Sequence, residues 1–345
     1  MKAALLASHG GNEVLSIGSL PDPVPGPGEV LVKISAAALN RLDLFVRNGI
    51  PGVPVAFPHV PGADGCGTIE ALGDGVRDVA VGDRVVLQPG LSCGSCEFCR
   101  DGERSLCVGY GILGEHRSGT LAERIVVPRA NVWKAPAHLT DEEAAAFPLA
   151  AMTAWRMLVT RAALRPGESV LIHGIGGGVS AYALQIARLA GASLVIATSG
   201  DERKLERAKA LGADVVLDYR STDVGKKVRE LTGKRGVDVV VDSVGAATWR
   251  ASLTAAAKKG RIVTCGATSG PNPEEEIRII FWKQLSILGS TMGTDSEFAA
   301  LLRAVEGRRI VPVVDAAFLL EDVRAAYERL ESGAGFGKVV VRIAP

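Results

Sequence analysis

From "RPGESVLIHG" (165–174) onward, short apolar runs alternate with amphipathic segments, and that alternation restricts the fold more than any other feature of the chain. "SVLIH" reads as a strand, after which Val179, Ala183, Ile186, Ala187 and Ala190 recur at helical spacing. "LVIATS" is the next strand; Leu205, Ala208 and Leu211 then mark a helix that Gly212 stops. "DVVLDY", "VDVVVDSVG" and "GRIVTCGA" follow as strands. "VDVVVDSV" is apolar without alternation, as a strand covered on both faces must be. The series predicts an α/β fold with a doubly wound parallel sheet.

The first strand of that series runs into "HGIGGGVS" and then a helix. Gly174, Gly176, Gly177 and Gly178, with Val179 entering the helix, are the candidate residues for holding a dinucleotide. Glycines permit a tight turn and a close backbone approach, and a helix N-terminus favours the pyrophosphate. The final glycine of the usual fingerprint falls near Ser180, a small residue that the position tolerates. An acid commonly ends the next strand to hold a ribose 2′-OH. Here that end reads "ATSGDERK", and Ser199 aligns with the acidic position. A neutral residue there, with Arg203 and Lys204 just beyond, suits a 2′-phosphate and therefore NADPH. A register slip of two would put Asp201 in the acidic position and invert the preference; the two cations could also be a solvated helix face.

The first 130 or so residues read differently. "GEVLVKISAAAL", "GCGTIEAL", "GDRVVLQPG" and "LAERIVVP" are β-type runs punctuated by Gly, Pro and Asp. "TDEEAAAFPLAAMTAWRMLVT" reads as helical, with Thr140 as cap and Glu143 three residues later. Into the β-rich region is set a lobe holding four of the chain's six cysteines: Cys93, Cys96, Cys99 and Cys107. Two-residue gaps let one turn of backbone aim two sulfurs at one point, and the polar "RDGERSL" can bring the fourth back. Four thiolates fill a zinc shell and leave no open position, so the expected ion is structural. An iron–sulfur cluster is the rival reading. Cys66 and Cys265 sit in apolar runs and are expected to pack as small hydrophobes.

With 345 residues and a net charge of +1, the chain suggests two domains and no basic face for nucleic acid or anionic membrane. No apolar run reaches the roughly 18 residues of a membrane span, and the apolar start Ala3–Ala7 reads as a strand, not an export signal. Clustered thiols without such a signal imply the cytoplasm.

Taken together, "MKAALL", "PGPGEVLVKISAAALN", "PHVPGADGCGTI", "GDRVV", the cysteine lobe, "FPLAAMTAW", the glycine loop, "AKALGADVVLDY" and the terminal "FGKVV" resemble the medium-chain dehydrogenase/reductase superfamily over essentially the whole chain. The resemblance implies a GroES-like β domain over 1–150 and 294–345, carrying the zinc lobe, around a Rossmann domain over 151–293. It also implies a homodimer or homotetramer acting on a small molecule. Zinc alcohol dehydrogenases of the family hold a catalytic ion with two Cys and a His; the matching positions here are Asn40, Ala63 and Leu149, and the relay hydroxyl is Leu42. The chain is in this respect similar to the quinone-oxidoreductase-like branch, with the zinc lobe retained.

By the same resemblance Asn40 and Asp43 are catalytic candidates and Thr153 lies against the nicotinamide. Arg41 reaches the cofactor, Gly245 and Gly266 border its cleft, and Lys204 and Tyr219 match an NADPH-binding pair. The tyrosine found near substrate in some quinone reductases is Phe45 here. Asn40 is the candidate donor to the substrate, or else ties down a strand end; Asp43 is expected to orient neighbours. Tyr110 and His116 could border the cleft, His59 is expected to pack, and His173 stands beside the glycine loop. The reaction expected is NADPH-dependent reduction of a quinone or an activated C=C bond. Two alternatives are a zinc alcohol or aldehyde dehydrogenase with ligands such as His59, Asp64 and Cys66, and a non-catalytic NADPH-binding protein.

Overall fold

The structure is a computed structural model that describes residues 1–343. Its contacts separate two units: Met1–Ala150 with the chain from Gly293 on, and Ala151–Met292. The second crossing lies one residue before the boundary read from the sequence.

In the Ala151–Met292 unit, six strands form one sheet in the order Val215–Asp218, Leu194–Ser199, Ser169–Ile172, Val237–Val241, Ala256–Thr264 and Ser286–Gly289. Every neighbouring pair is parallel. The chain starts in the middle, runs outward, then returns to the other side of Ser169–Ile172, as the alternation predicts. Val170, Leu171, Ile172, Val239 and Val240 are fully buried, which accounts for strands that are apolar on both faces. The point where strand order reverses lies between Ser169–Ile172 and Val237–Val241, so the loops leaving these strands, 173–178 and 242–248, face one crevice of this unit. The edge strand Ser286–Gly289 is not legible in the sequence: it is short and mostly exposed, so it lacks the apolar signal.

In the other unit the main sheet has seven strands. At its centre Glu29–Leu39 is flanked by Asp64–Leu72 and by the terminal strand Lys338–Arg342, both antiparallel to it. The tail therefore does return to the first unit. Register matters here, since Val339 faces Leu39 and Ala38 faces Asp64. Asn40, Asp64 and Lys338 are thereby gathered at one end of three adjacent strands, from positions 24 and 298 residues away from Asn40 in sequence.

The segment after Thr140 is helical as read, but in more than one piece. Thr140 and Glu143 do form the reciprocal cap, with Glu143 N donating to Thr140 Oγ1 at 3.2 Å and Thr140 N to the Glu143 carboxylate at 2.9 Å. But the helix stops at Ala145, and a second begins at Pro148. Proline lacks the N–H that would continue the ladder and pushes the residue before it out of helical geometry. Among the described residues, no helix is long and apolar enough to cross a membrane.

Candidate functional site

The cysteine lobe closes on a short antiparallel stem, Gly90–Leu91 against Gly111–Ile112. Its four sulfurs lie within 4.8 Å of one another. Cys96 and Cys93 stand 3.5 and 4.0 Å from Cys99, and Cys107 is 3.5 Å from Cys93. Sulfurs at about 2.3 Å around a tetrahedral zinc ion are about 3.8 Å apart, so this donor set fits that ion. Backbone N–H groups prepare it for negative charge. Those of Ser95 and Cys96 draw the Cys93 thiol down to about 6, and those of Cys93 and Gly109 donate to Cys107 Sγ, each at 3.3 Å. Lost hydration, with Cys96 and Cys107 alongside, pushes the Cys99 thiol up to about 11. Four thiolates this close repel one another, and a divalent cation bound to all of them removes that penalty. The lobe is pinned by Arg104, whose Nη1 lies 2.7 Å from both carboxylate oxygens of Asp295 and whose Nε donates to Ser92 Oγ at 2.8 Å.

The glycine loop leaves its strand with Gly174 at φ +64° and Gly176 at φ +118°, conformations that favour glycine. The helix Gly178–Leu189 then starts at Gly177 with no side-chain cap, leaving first-turn N–H groups of Gly178 and Val179 for an anion. Ser180 ties the loop to the helix, its Oγ lying 2.9 Å from Gly174 O and 3.0 Å from Gly177 O. This backbone cradle fits a dinucleotide phosphate. Ser199 is the last residue of its strand and accepts a bond from Asp201 N at 3.1 Å. Asp201 caps the following helix at Lys204 N and pairs with Arg203 at 3.3 Å. Tyr219 is exposed, and its ring lies so near Gly200 that a Cβ there would stand 2.8 Å from the ring. Thr153 is buried, with Oγ1 3.8 Å from Met292 Sδ.

Sequence reasoning missed the residue that shapes the neighbouring loop. Asp242, fully buried, accepts from Val244 N at 2.9 Å, Gly245 N at 3.0 Å, Thr248 Oγ1 at 2.8 Å and Ser252 Oγ at 2.7 Å. Its one signal was the second acid of "VDVVVD", the one that closes the apolar run. Gly245, at φ +89°, would bring a Cβ to 2.7 Å from Gly270 O, so glycine is required. Gly266 makes no such demand, because a Cβ there would meet only Ser243 O at 3.6 Å. His173 is buried beside this loop with Nδ1 3.3 Å from Thr198 Oγ1; burial lowers its pKa and favours the neutral ring.

In the first unit, Asn40 precedes the helix Arg41–Asn48, and Asp43 reaches back to Asn40 N at 2.6 Å and across to Gly62 N at 2.9 Å. Burial pushes the Asp43 carboxyl up to about 6, against the pull of these N–H groups and of Lys338. Of the two roles read for Asn40, the hydrogen bonds present are those of a side chain that ties down a strand end. Its Nδ2 donates to Asp64 Oδ2 at 2.9 Å and to Ala38 O at 3.4 Å, and its Oδ1 accepts from Lys338 Nζ. Asp64 accepts from Leu149 N at 2.7 Å and pairs with Lys338 Nζ at 3.0 Å. Arg41 is exposed, its guanidinium beside Gly333.

The alternative ligand trio does not assemble. His59 Nε2 contacts Gly114 O at 2.9 Å, Asp64 is engaged by Lys338, and Cys66 points to Asp141 at 3.6 Å with its thiol pushed up to about 12 by burial. Among the described residues, only the four lobe cysteines bring three or more potential ligands together. Cys265 is half-buried, and lost hydration pushes its thiol up to about 12. Tyr110 packs over Gly90, His116 accepts from Ile112 N at 3.3 Å, and Phe45 is exposed.

Two family models match this chain: the alcohol dehydrogenase GroES-like domain over residues 26–137 and the zinc-binding dehydrogenase over 178–307. Human quinone oxidoreductase is 30% identical over 99% of this chain and 97% of its own length. Acryloyl-coenzyme A reductase of Metallosphaera sedula is 33% identical over 99% of both chains. A crystal structure of an NAD-dependent alcohol dehydrogenase superposes with a TM-score of 0.96 at 49% identity, covering 100% of both chains.

Proposed function

Because the chain belongs to the medium-chain dehydrogenase/reductase superfamily and is an oxidoreductase of it, we propose that it reduces a quinone or an activated C=C bond with NADPH and without a catalytic metal. The observation that carries this reading is the strand-end cluster. Asn40, Ala63 and Leu149 hold no thiolate or imidazole, and the carboxylate that follows Ala63, Asp64, is engaged by a buried ammonium. An unactivated alcohol needs a Lewis acid to give up hydride readily; an enone or quinone is already electrophilic and needs only orientation and a donor to its oxygen. Relatives named for a quinone and for an acryloyl thioester support the same substrate class.

Bound NADPH supplies the hydride. The 173–178 loop and the open helix end take its phosphates; Asp242 fixes the turn at Gly245; Thr153, buried in the same unit, is the candidate contact for the nicotinamide. Preference for the 2′-phosphate is supported by Ser199 at the strand end and by Asp201, already spent as a helix cap. Lys204 and Tyr219 complete that pocket in this reading. The four lobe cysteines would hold one structural zinc ion, and the unpaired thiols suit a reducing cytoplasm. Exposed Ile277, Phe281 and Trp282, on a helix preceding the sheet edge Ser286–Gly289, support a homodimer or homotetramer, which light scattering would register.

The test is cofactor oxidation against quinones, enones, aldehydes and simple alcohols, with metal content measured on the same sample. NADPH should exceed NADH by about tenfold or more in kcat/KM, and S199D should reverse the order. Quinones or enones should turn over with one zinc per chain. Two zinc ions per chain with oxidation of simple alcohols would establish the alcohol dehydrogenase reading instead.

A further inference from the structure

Arg220 follows the strand next to Leu194–Ser199, and nothing in its sequence context gives it a role. The parallel register sets Asp218, the last residue of Val215–Asp218, directly beside Ser199. Tyr219 N donates to Ser199 O at 3.2 Å, and the Tyr219 ring lies against Gly200. The end of the neighbouring strand therefore borders the place where a ribose 2′ group is read, all within the Ala151–Met292 unit. Asp218 is an acid at that border. Left bare, it would repel a 2′-phosphate and accept from a ribose hydroxyl instead. It is not bare. Arg220 N donates to Asp218 Oδ1 at 2.9 Å, its Nε to the same oxygen at 3.1 Å, and its Nη2 to Oδ2 at 2.9 Å. This fork holds the Asp218 carboxyl below the usual carboxylate range, so the acid stays ionised and matched.

The pair occupies the Nε–Nη2 edge of the guanidinium. The Nη1 edge belongs to a side chain that is 62% exposed, where a ligand can replace solvent. Asp218 first, and then Tyr219 and Asp201, stabilise the Arg220 charge, so the guanidinium stands at the corner these residues form. Arg203 is closer to Ser199 in sequence, but it is 82% exposed and meets Asp201 at 3.3 Å through one nitrogen. Of the two arginines, Arg220 is the one held as a planar fork.

We propose that Arg220 reads the ribose 2′-phosphate, with Asp218 as the positioning residue that fixes its guanidinium. The inference rests on the NADPH reading above and adds to it a residue outside the pocket described there. Arginine suits the task because its planar donors match phosphate oxygens in pairs. Arg220 also covers Asp218, which would otherwise oppose the phosphate. Loss of Arg220 alone therefore removes donors and uncovers a carboxylate. Loss of both charges removes the donors only. That difference separates this role from a diffuse positive field.

The experiment titrates the full chain with adenosine 2′,5′-bisphosphate and with 5′-AMP by calorimetry, and with NADPH and NADH by fluorescence. Wild type is compared with R220Q, R220K and D218N/R220Q. The two adenosine probes differ only in the 2′-phosphate and need neither substrate nor turnover. R220Q should weaken the bisphosphate and NADPH by about 30-fold. It should leave 5′-AMP and NADH within about threefold of wild type, which also shows that the variant is folded. D218N/R220Q should recover about three- to tenfold of the loss, and R220K should fall between wild type and R220Q. Added salt should shrink the wild-type preference for the bisphosphate more than that of R220Q. The proposal is overturned by an R220Q protein that weakens 5′-AMP as much as the bisphosphate, or by a double variant no better than R220Q. A wild type that prefers the bisphosphate, with R220Q keeping that preference, removes the role of Arg220 and leaves the NADPH reading standing. A wild type that binds 5′-AMP at least as tightly as the bisphosphate overturns the NADPH reading and this proposal with it.

Discussion

The molecule contains two clusters of polar side chains that invite comparison, both in the unit built from the chain's two ends. The cysteine lobe gathers four sulfurs within 4.8 Å and contains no cation of its own among them. The strand-end cluster gathers Asn40, Asp64 and Lys338 and carries its own cation, an ammonium that pairs with the Asp64 carboxylate and also acts on buried Asp43. One set of donors is electrostatically unfinished and calls for an ion from outside. The other has taken its cation from the chain itself. Sharing a fold with zinc-binding dehydrogenases therefore does not by itself settle which metal positions a chain uses.

The largest effect should come from the unfinished cluster. C107S leaves three sulfurs and exposes the lobe to loss of its ion. Metal analysis should then fall well below one zinc per chain, with a Tm drop on the order of 10 °C. A C107S protein that keeps both its stability and its behaviour toward chelators would break the comparison, since the lobe would then hold itself without an ion. The strand-end cluster should respond differently. K338M leaves Asp64 charged and fully buried with its strongest partner gone, at a cost of about 3–5 kcal/mol in denaturant unfolding. K338M/D64N removes both charges and should recover much of that loss. Equal and additive losses from the two substitutions would mean that the pair is not the stabilising unit described here.

How far these sites were legible follows from how local each one is. The lobe's ligands lie within fifteen residues, so spacing alone revealed them. The glycine loop is one strand, one turn and one helix, and the alternation exposed it together with its sheet. What Asp242 and Lys338 hold together was not legible. Asp242 takes its partners from the turn and helix just after it, out to Ser252 ten residues on, but no spacing rule marks them; Lys338 is a lone charge opening an apolar strand, and its partner Asn40 lies 298 positions away. Only the register of Lys338–Arg342 on Glu29–Leu39 joins the latter pair. Asn40 was noticed, but its amide could not be seen to be spent, because that depends on the same register. The segment after Thr140 is helical as its cap and apolar run imply, and the break within it has a local reason that was in view, Pro148.

The smallest effect is a pH dependence, and it probes the charges of the strand-end cluster most finely. Burial raises the Asp43 carboxyl from an ordinary 3.8 to about 6, so the folded chain holds this proton more tightly than the unfolded chain does. The associated stability is fully present below the unfolded value and is lost as pH rises through about 6. Wild type should therefore lose stability relative to D43N between roughly pH 4 and pH 6, by at most about 3 kcal/mol, with a flat difference above that window. The lost N-terminal hydrogen bonds of D43N add a constant offset, so the slope is the quantity to read. Lys338 now enters with a definite sign. Its charge pulls the Asp43 value down while Asp64 pushes it up. In a K338M background the Asp43 window should shift to higher pH, because the cation that offsets the two buried carboxylates is gone. If chemical denaturation across that range shows the window unmoved, the ammonium is not acting on this cluster as a charge.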